Sequence, residues 1–99
     1  MQGVIYLITD GLFFKIGRTK KDAEKRLKEL QTGNSSELYL IKEISVKNAS
    51  KVEATMHRKY SYCKQINEWF DLSLDNVNNF EQDCLKLDNN FELLKKLKV

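Results

Sequence analysis

Two runs of strand-forming residues on either side of an Asp-Gly pair constrain the fold of this chain more than any other feature. The first run is Val4 to Ile8, and a second run, Leu12 to Gly17, follows Asp10-Gly11. Tight hairpin turns need backbone positions with positive φ, which an Asp-Gly pair readily supplies. The sequence therefore predicts an antiparallel hairpin with a two-residue turn at Asp10-Gly11.

The second run of the hairpin carries a charge where apolar side chains are expected. Lys15 has no hydrophobic reason to lie in a buried strand, and Gly17 leaves room for another group to approach the backbone. Tyr6 of the first run is expected to lie near Lys15 across the hairpin. Taken alone, Lys15 is equally consistent with an edge lysine that discourages strand aggregation.

Length and composition restrict the class of protein. A chain of 99 residues, 41% of them hydrophobic, suits one folded domain. No apolar run approaches the ~20 residues of a membrane-spanning helix, and no signal-like segment opens the chain. The expected location is therefore intracellular, in the cytoplasm or nucleus, without secretion and without a membrane partner.

The two cysteines, Cys63 and Cys84, do not have the spacing of a zinc motif. In an intracellular protein they are expected to be free thiols rather than a disulfide or metal ligands. No basic partner is evident for either, so neither is expected to act as a nucleophile.

The net charge of +3 is distributed unevenly along the chain. Residues 1–64 hold 13 Lys and Arg against 7 Asp and Glu, a net charge of +6, whereas residues 65–99 hold 4 against 7, a net charge of −3. A basic region attracts polyanions by steering and counterion release. Nucleic acid is thus a candidate partner of the first two thirds, although many domains with this charge bind none.

A helical pattern follows the hairpin. Apolar residues such as Ala23 and Leu27 recur at helical spacing, and Gly33 is expected to end the helix. The segment Thr19–Asp22 predicts a capping box at its start. Arg26 lies beside the apolar stripe, where a surface arginine commonly covers apolar neighbours.

A third strand and a second helix come next. Glu37–Val46 predicts the third strand of an antiparallel sheet, and Asn48 or Ser50 is expected to cap the helix after it. Glu53 and His57 are spaced i, i+4 and share a neighbouring face of that helix. Glu53 also completes a capping-box pattern with Ser50, and one histidine alone does not define a metal site.

The last third combines a short extended segment with helical periodicity. Glu68–Leu72 is expected to be extended, with Trp69 packing against the core rather than stacking on a base. Ser73 is expected to cap the final helical segment. Asp88-Asn-Asn90 weakens the pattern, so one bent helix and two consecutive helices both remain open.

The order of these short motifs resembles that of the GIY-YIG nuclease superfamily, in particular its branch of phage, viral and fungal reading frames with a Lys-Ile-Gly second motif. The resemblance covers residues 3–72 and rests on Val4-Ile-Tyr6, Lys15-Ile-Gly17 with Arg18-Thr19, Arg26–Leu30, Glu53 with His57, and Glu68-Trp-Phe70. Each motif is weak alone, and their order makes the set more specific.

The resemblance implies a fold and an activity. The fold is α+β, a small three-stranded antiparallel sheet flanked by helices over residues 1–72, with residues 73–99 as a C-terminal helical extension packed on the same domain. The activity is a metal-dependent endonuclease that hydrolyses DNA phosphodiester bonds with one Mg²⁺ or Mn²⁺. By resemblance, Glu53 holds the metal, Tyr6 is the general base and Arg26 steadies the phosphate.

The resemblance also gives the remaining basic residues a role. A tyrosine loses its proton only near pH 10 in water, so Lys15 is expected to favour the phenolate of the catalytic tyrosine. His57 is a candidate substitute for a basic residue that relatives carry on the first helix. The phosphates of DNA are expected to meet Arg18, Lys20 and Lys21.

Two other functions stay open. The first is a non-catalytic nucleic-acid-binding or scaffold module that retains the fold. The second is a structural protein in which Glu53 caps a helix, Arg26 is solvated and Tyr6 packs. A domain of this size has little spare surface to read bases, so weak specificity or help from a second copy or a protein partner is expected.

Overall fold

Four strands and three α-helices are described by the computed structural model, which covers residues 2–66 and 69–98. In chain order the elements are β1 (Gly3–Thr9), β2 (Phe14–Thr19), α1 (Ala23–Thr32), β3 (Tyr39–Val46), α2 (Ala49–Lys59), a 3₁₀ turn (Ser61–Cys63), β4 (Trp69–Phe70) and α3 (Leu74–Leu97). Neighbouring strands are antiparallel in the order β3-β1-β2-β4. The predicted α+β class is confirmed. Glu68 of the Glu-Trp-Phe motif lies outside the described residues.

The prediction of a three-stranded sheet is wrong by one strand. Trp69 and Phe70 form β4 and pair with Lys15 and Phe14 on the outer side of β2. The sequence predicts an extended segment here, but a strand of 2 residues is too short to show the alternation that marks a member of a sheet. Its shortness matters for the site, because β4 covers only the first part of β2.

The hairpin is confirmed, but its turn is longer than predicted. β1 ends at Thr9, and the loop Asp10–Phe13 precedes β2. Asp10 Oδ1 accepts hydrogen bonds from two backbone N–H groups of this loop, at 2.9 and 2.8 Å, and Gly11 adopts a φ of 99°. An Asp side chain can replace a backbone acceptor in a turn, and this one organises a loop wider than the predicted two-residue turn.

The sheet buries apolar side chains on both faces. Ile5 and Leu7 point to the face that α2 and α3 cover, and both are 0% exposed. Tyr6 and Ile8 point to the other face, which α1 covers. Burying one large apolar side chain contributes about 1.5–3 kcal/mol. A shift of β1 by one residue would exchange these two sets, so their burial fixes the register.

The start of α1 differs from prediction, whereas α2 begins after Asn48, one of the two predicted caps. α1 follows Asp22, whose carboxylate accepts a first-turn N–H at 2.9 Å, so the helix is capped by Asp22 and not by Thr19. α2 follows Asn48, whose side chain makes no capping hydrogen bond. Asp88 of α3 instead accepts hydrogen bonds from the backbone N–H groups of Lys47 and Asn48, both at 2.9 Å. A carboxylate at this end also complements the helix dipole.

The C-terminal third forms one continuous helix, α3, rather than two. Ser73 begins it with a capping box to Asn76, through hydrogen bonds of 3.0 and 3.1 Å. Phe80 and Cys84 are 0% exposed in the core shared with α2. Across residues 2–66 and 69–98, no helix combines the length and apolar character needed to cross a membrane. The boundary at residue 72 stays a prediction.

Thiol reagents are expected to distinguish the two cysteines, both of which are free. Burial raises the pKa of Cys84 to about 12, so roughly one molecule in 10,000 carries the reactive thiolate at pH 8. Burial also raises the pKa of Cys63, which is only half-buried. We expect Ellman's reagent to titrate Cys63 slowly in the native protein, and Cys84 only after unfolding in guanidinium. Two fast thiols in the native protein would contradict this packing.

Candidate functional site

A cleft of about 350 Å³ opens along β2, between α1 and α2. We call it the β2 cleft, and its lining residues are Tyr6, Lys15, Ile16, Gly17, Arg18, Arg26 and Glu53. Five of the predicted site residues therefore meet in one place. The other three, His57, Lys20 and Lys21, lie outside its lining.

The cleft forms where β2 lacks a partner on its outer side. β4 pairs only with Phe14 and Lys15, so in the part of the chain that the structure describes no strand covers the outer edge of Ile16–Thr19. Side chains alternate along a strand, which directs Lys15 to the α1 face and Arg18 to the α2 face. The β2 cleft thus collects groups from both faces of the sheet at an open edge.

The position of the Tyr6 ring depends on a glycine in the neighbouring strand. Tyr6 is 3% exposed and pairs directly with Gly17 of β2. A Cβ atom on Gly17 would overlap the phenol ring of Tyr6. The sequence predicts only that some group approaches the backbone here, and the structure shows that this group is the ring of Tyr6. Gly17 is therefore part of what orients the phenol.

The guanidinium of Arg26 reaches from α1 to the phenol oxygen. Its Nε donates to Tyr6 Oη at 3.4 Å, and its Nη1 donates to Glu29 Oε1 at 3.2 Å. These hydrogen bonds, the one to Tyr6 first, raise the pKa of Arg26. A fixed positive charge at this position favours a negatively charged ligand bound next to it.

Glu53 faces the cleft from α2 and is paired with a cation. Its Oε1 accepts a hydrogen bond from Arg18 Nε at 3.1 Å, and its side chain is 25% exposed. The predicted capping role with Ser50 is not observed, because the N-cap of α2 is Asn48. The two partners are 35 positions apart in the sequence, so local patterns carry no sign of the ion pair.

The donor set of the cleft suits a cation that keeps most of its water. Within residues 2–66 and 69–98, no group of three or more His, Cys, Asp or Glu side chains could hold a metal. Glu53 is the carboxylate among the residues that line the cleft. Mg²⁺ and Mn²⁺ fit such a site, since they bind through one or two carboxylates and take waters and substrate phosphate as other ligands. A closed zinc-type cage does not fit.

Lys15 points to the ring of Trp69, which the sequence predicts to pack against the core. Its Nζ lies 5.9 Å from the centroid of the Trp69 ring, within cation–π range. Trp69 is only half-buried and packs at the margin of the core under α1. The sequence does not predict the contact between Lys15 and Trp69, because it depends on the pairing of β4 with β2, which no sequence pattern predicts.

His57 contacts β2 without lining the cleft. Its Nε2 lies 2.8 Å from the carbonyl oxygen of Ile16, so this nitrogen carries the proton and donates. Its ring meets Phe70 edge-on, with centroids 5.1 Å apart. Ile16 lies beyond the end of β4, so His57 supplies a donor where the sheet offers none. The catalytic role of His57 stays a prediction, and the observed contact is with the backbone.

Replacing His57 by alanine is expected to destabilise the protein more than replacing it by glutamine. Alanine leaves the Ile16 carbonyl without its donor, which costs about 1–3 kcal/mol for a buried group. Glutamine keeps an amide N–H near the position of Nε2. Thermal unfolding of both variants, with the exposed Arg58→Ala as the control on the same helix, measures the difference. A His57→Ala protein as stable as Arg58→Ala would contradict this contact.

Lys20 and Lys21 lie exposed in the connection between β2 and α1. They follow Arg18 along the chain and add two positive charges directly after β2. Their role in binding nucleic acid stays a prediction.

Comparison with known proteins gives one family match and one viral relative. The model of the T5orf172 domain matches residues 3–85. Protein 315L of Invertebrate iridescent virus 6, named as a KilA-N domain-containing protein, is 29% identical over 100 residues, which cover 91% of this chain and 43% of 315L. The chain therefore spans less than half the length of this relative. No solved structure matches this chain.

The family match corrects the resemblance drawn from the short motifs. The domain that matches is T5orf172 and not a GIY-YIG nuclease domain, so the identification with the GIY-YIG superfamily is wrong. Motifs as short as Lys15-Ile-Gly17 recur by chance in unrelated chains. A match over most of the chain outweighs them.

Proposed function

The chain belongs to the T5orf172 domain family, and on this premise we propose that it is a DNA-binding module whose β2 cleft hydrolyses phosphodiester bonds with one bound Mg²⁺ or Mn²⁺. The observation that carries the proposal is that Tyr6, Arg26 and Glu53, from three different elements, line one cleft. An oxygen base, a guanidinium and a carboxylate that can anchor a cation are the groups that metal-assisted hydrolysis of a phosphodiester uses.

The charge of the cleft supports a phosphate ligand. Lys15, Arg18 and Arg26 are positive, and Glu53 is the negative side chain among the residues lining it. Arginine forks match the geometry of phosphate oxygens. A phosphate in the cleft would compete with Glu53 for the guanidinium of Arg18, and the carboxylate would then be free for a cation.

Each residue has a definable task in this chemistry. A cation held by Glu53 would neutralise charge at the phosphate and at the leaving oxygen. A deprotonated Tyr6 Oη would take a proton from the attacking water while the water oxygen bonds to phosphorus, and the leaving oxygen would depart as an alkoxide. Arg26, whose Nε is 3.4 Å from the Tyr6 oxygen, is placed to stabilise the charge of the phosphate in the transition state.

A second candidate function is a DNA-binding module without catalysis. The observation in its favour is the ion pair between Arg18 and Glu53, with its 3.1 Å hydrogen bond, which occupies the one carboxylate of the cleft. If the pair persists on DNA, Glu53 serves to position Arg18 against a phosphate and holds no cation. The two functions differ in their dependence on metal.

Removal of divalent metal is expected to abolish nicking of a supercoiled plasmid, and Mg²⁺ or Mn²⁺ is expected to restore it. The protein cannot supply a full set of ligands, so binding of the cation is weak and reversible by EDTA. Gel separation of supercoiled, nicked and linear DNA measures the reaction. Nicking that persists in EDTA would contradict the role of the cation. DNA binding without nicking in either metal would establish the second candidate.

A further inference from the structure

A second cleft lies on the α1 side of the sheet and shares Lys15 with the first. It encloses about 290 Å³, and we call it the side groove, lined among others by Lys15, Leu30, Asn34, Leu38 and Trp69. Lys15 lines both clefts. The open side of Trp69 also borders a third hollow of about 220 Å³ at the hairpin loop. The β2 cleft and the side groove are therefore neighbours, with Lys15 between them.

The two clefts differ in chemistry. The β2 cleft is lined by four charged side chains, whereas the side groove combines apolar walls from Leu30 and Leu38 and the ring of Trp69 with the carboxylate of Glu29. The amide of Asn34 is a polar group at its side. The Nζ of Lys15, 5.9 Å from the ring centroid, is the positive charge between the two clefts. A nucleotide has the same sequence of properties, with a phosphate joined to a flat base.

Part of the Trp69 ring stays open beside the clefts. The ring contacts the core under α1 from its margin and is half-buried. Tryptophan is rarely covered completely even in a core, so the position of its open part, and not its exposure alone, is what favours a ligand. Here it borders two hollows, and one of them adjoins the positive cleft.

We propose that the side groove receives an unpaired DNA base next to the phosphate bound in the β2 cleft, so that the substrate class is single-stranded or locally unpaired DNA. This inference rests on the proposed function. The base stacks on Trp69, and Lys15 contacts the adjoining phosphate. In an intact duplex both faces of each base are stacked, so entry into the groove would first require unstacking and unpairing.

The single tryptophan of the chain makes the proposal directly measurable. We expect a single-stranded oligothymidylate, added in EDTA so that no cleavage occurs, to quench the fluorescence of Trp69 on binding. A duplex of equal length at the same salt is expected to bind at least about tenfold more weakly, because unstacking a base is costly. A single strand of abasic sites, with the same backbone charge, is expected to leave the fluorescence unchanged.

Variants give a second measurement by fluorescence anisotropy of labelled DNA. Trp69→Leu is expected to weaken single-strand binding by about 5- to 150-fold, the usual effect of losing one stacking platform, while Trp69→Phe retains most of it. Tyr39→Leu is the matched control, since Tyr39 is 50% exposed and lines neither cleft. Thermal unfolding of all three verifies that they fold.

The outcomes separate this inference from the proposed function. Equal binding of single strand, duplex and abasic strand with unchanged Trp69 fluorescence would contradict base binding in the side groove. Metal-dependent plasmid nicking would still support hydrolysis in the β2 cleft. Absence of both DNA binding and nicking by the wild-type protein at low salt would overturn both.

Discussion

Replacement of Glu53 by glutamine is expected to eliminate metal-dependent nicking while the protein keeps its fold and binds DNA. The substitution preserves the shape of the side chain but removes the charge that anchors the cation. Loss of one group that stabilises transition-state charge lowers the rate by about 100-fold or more. The ion pair with Arg18 is half-exposed at 43% and 25%, and such surface pairs contribute about 0–1 kcal/mol to stability. Single-turnover nicking and thermal unfolding measure the two effects separately.

Glu29→Gln is the matched control for this experiment. Glu29 bonds to Arg26 at 3.2 Å and lines the side groove, but it does not line the β2 cleft in which the cation is proposed to bind. It is exposed, so its loss is expected to change nicking by far less than the loss of Glu53. DNA affinity in EDTA is expected to rise modestly in both variants, because each removes a negative charge near phosphates. If the Glu53→Gln protein nicks at the wild-type rate, the proposal that Glu53 anchors the cation is wrong.

The sequence predicts well those features of the fold that depend on neighbouring residues. The run of strand-forming residues in β1, the apolar spacing in α1 and the capping role of Ser73 depend on residues close in the chain, and each has a known preference or periodicity. The candidate site residues Tyr6 and Glu53 were selected by a resemblance that proved to be wrong, yet they do line one cleft. Their selection tests nothing about catalysis, which stays a proposal.

What the sequence does not predict depends on contacts between distant residues. The backbone N–H groups before the start of α2 bind Asp88, 41 positions from Lys47, whereas Asn48 holds the predicted cap position without a side-chain capping bond. The outer edge of β2 stays open because β4 has only 2 residues, and that length is set by tertiary packing. The partner of Gly17 is identified only once the register of the hairpin is known, since a shift of one residue would place a different side chain against it.

Replacement of Gly17 by alanine is expected to destabilise the protein and to abolish nicking, because the new methyl group would occupy the space of the Tyr6 ring. Overpacking of this kind costs about 1–3 kcal/mol. For a domain of about 100 residues, each kcal/mol lowers the Tm by roughly 4–8 °C. The phenol oxygen would leave its position beside Arg26 Nε, 3.4 Å away, so nicking should fall even where the protein remains folded.

A double-mutant cycle decides whether the ring contact is the reason for the glycine. In a Tyr6→Leu background no ring lies over Gly17, so Gly17→Ala should cost little or even stabilise, since alanine loses less backbone entropy than glycine on folding. The expected coupling between the two sites is about 0.5–3 kcal/mol. Gly33→Ala is the control, because nothing lies within 4 Å of its Cβ position and the substitution is expected to be neutral or mildly stabilising. An equal loss of stability from Gly17→Ala in both backgrounds would show that the backbone, and not Tyr6, requires the glycine.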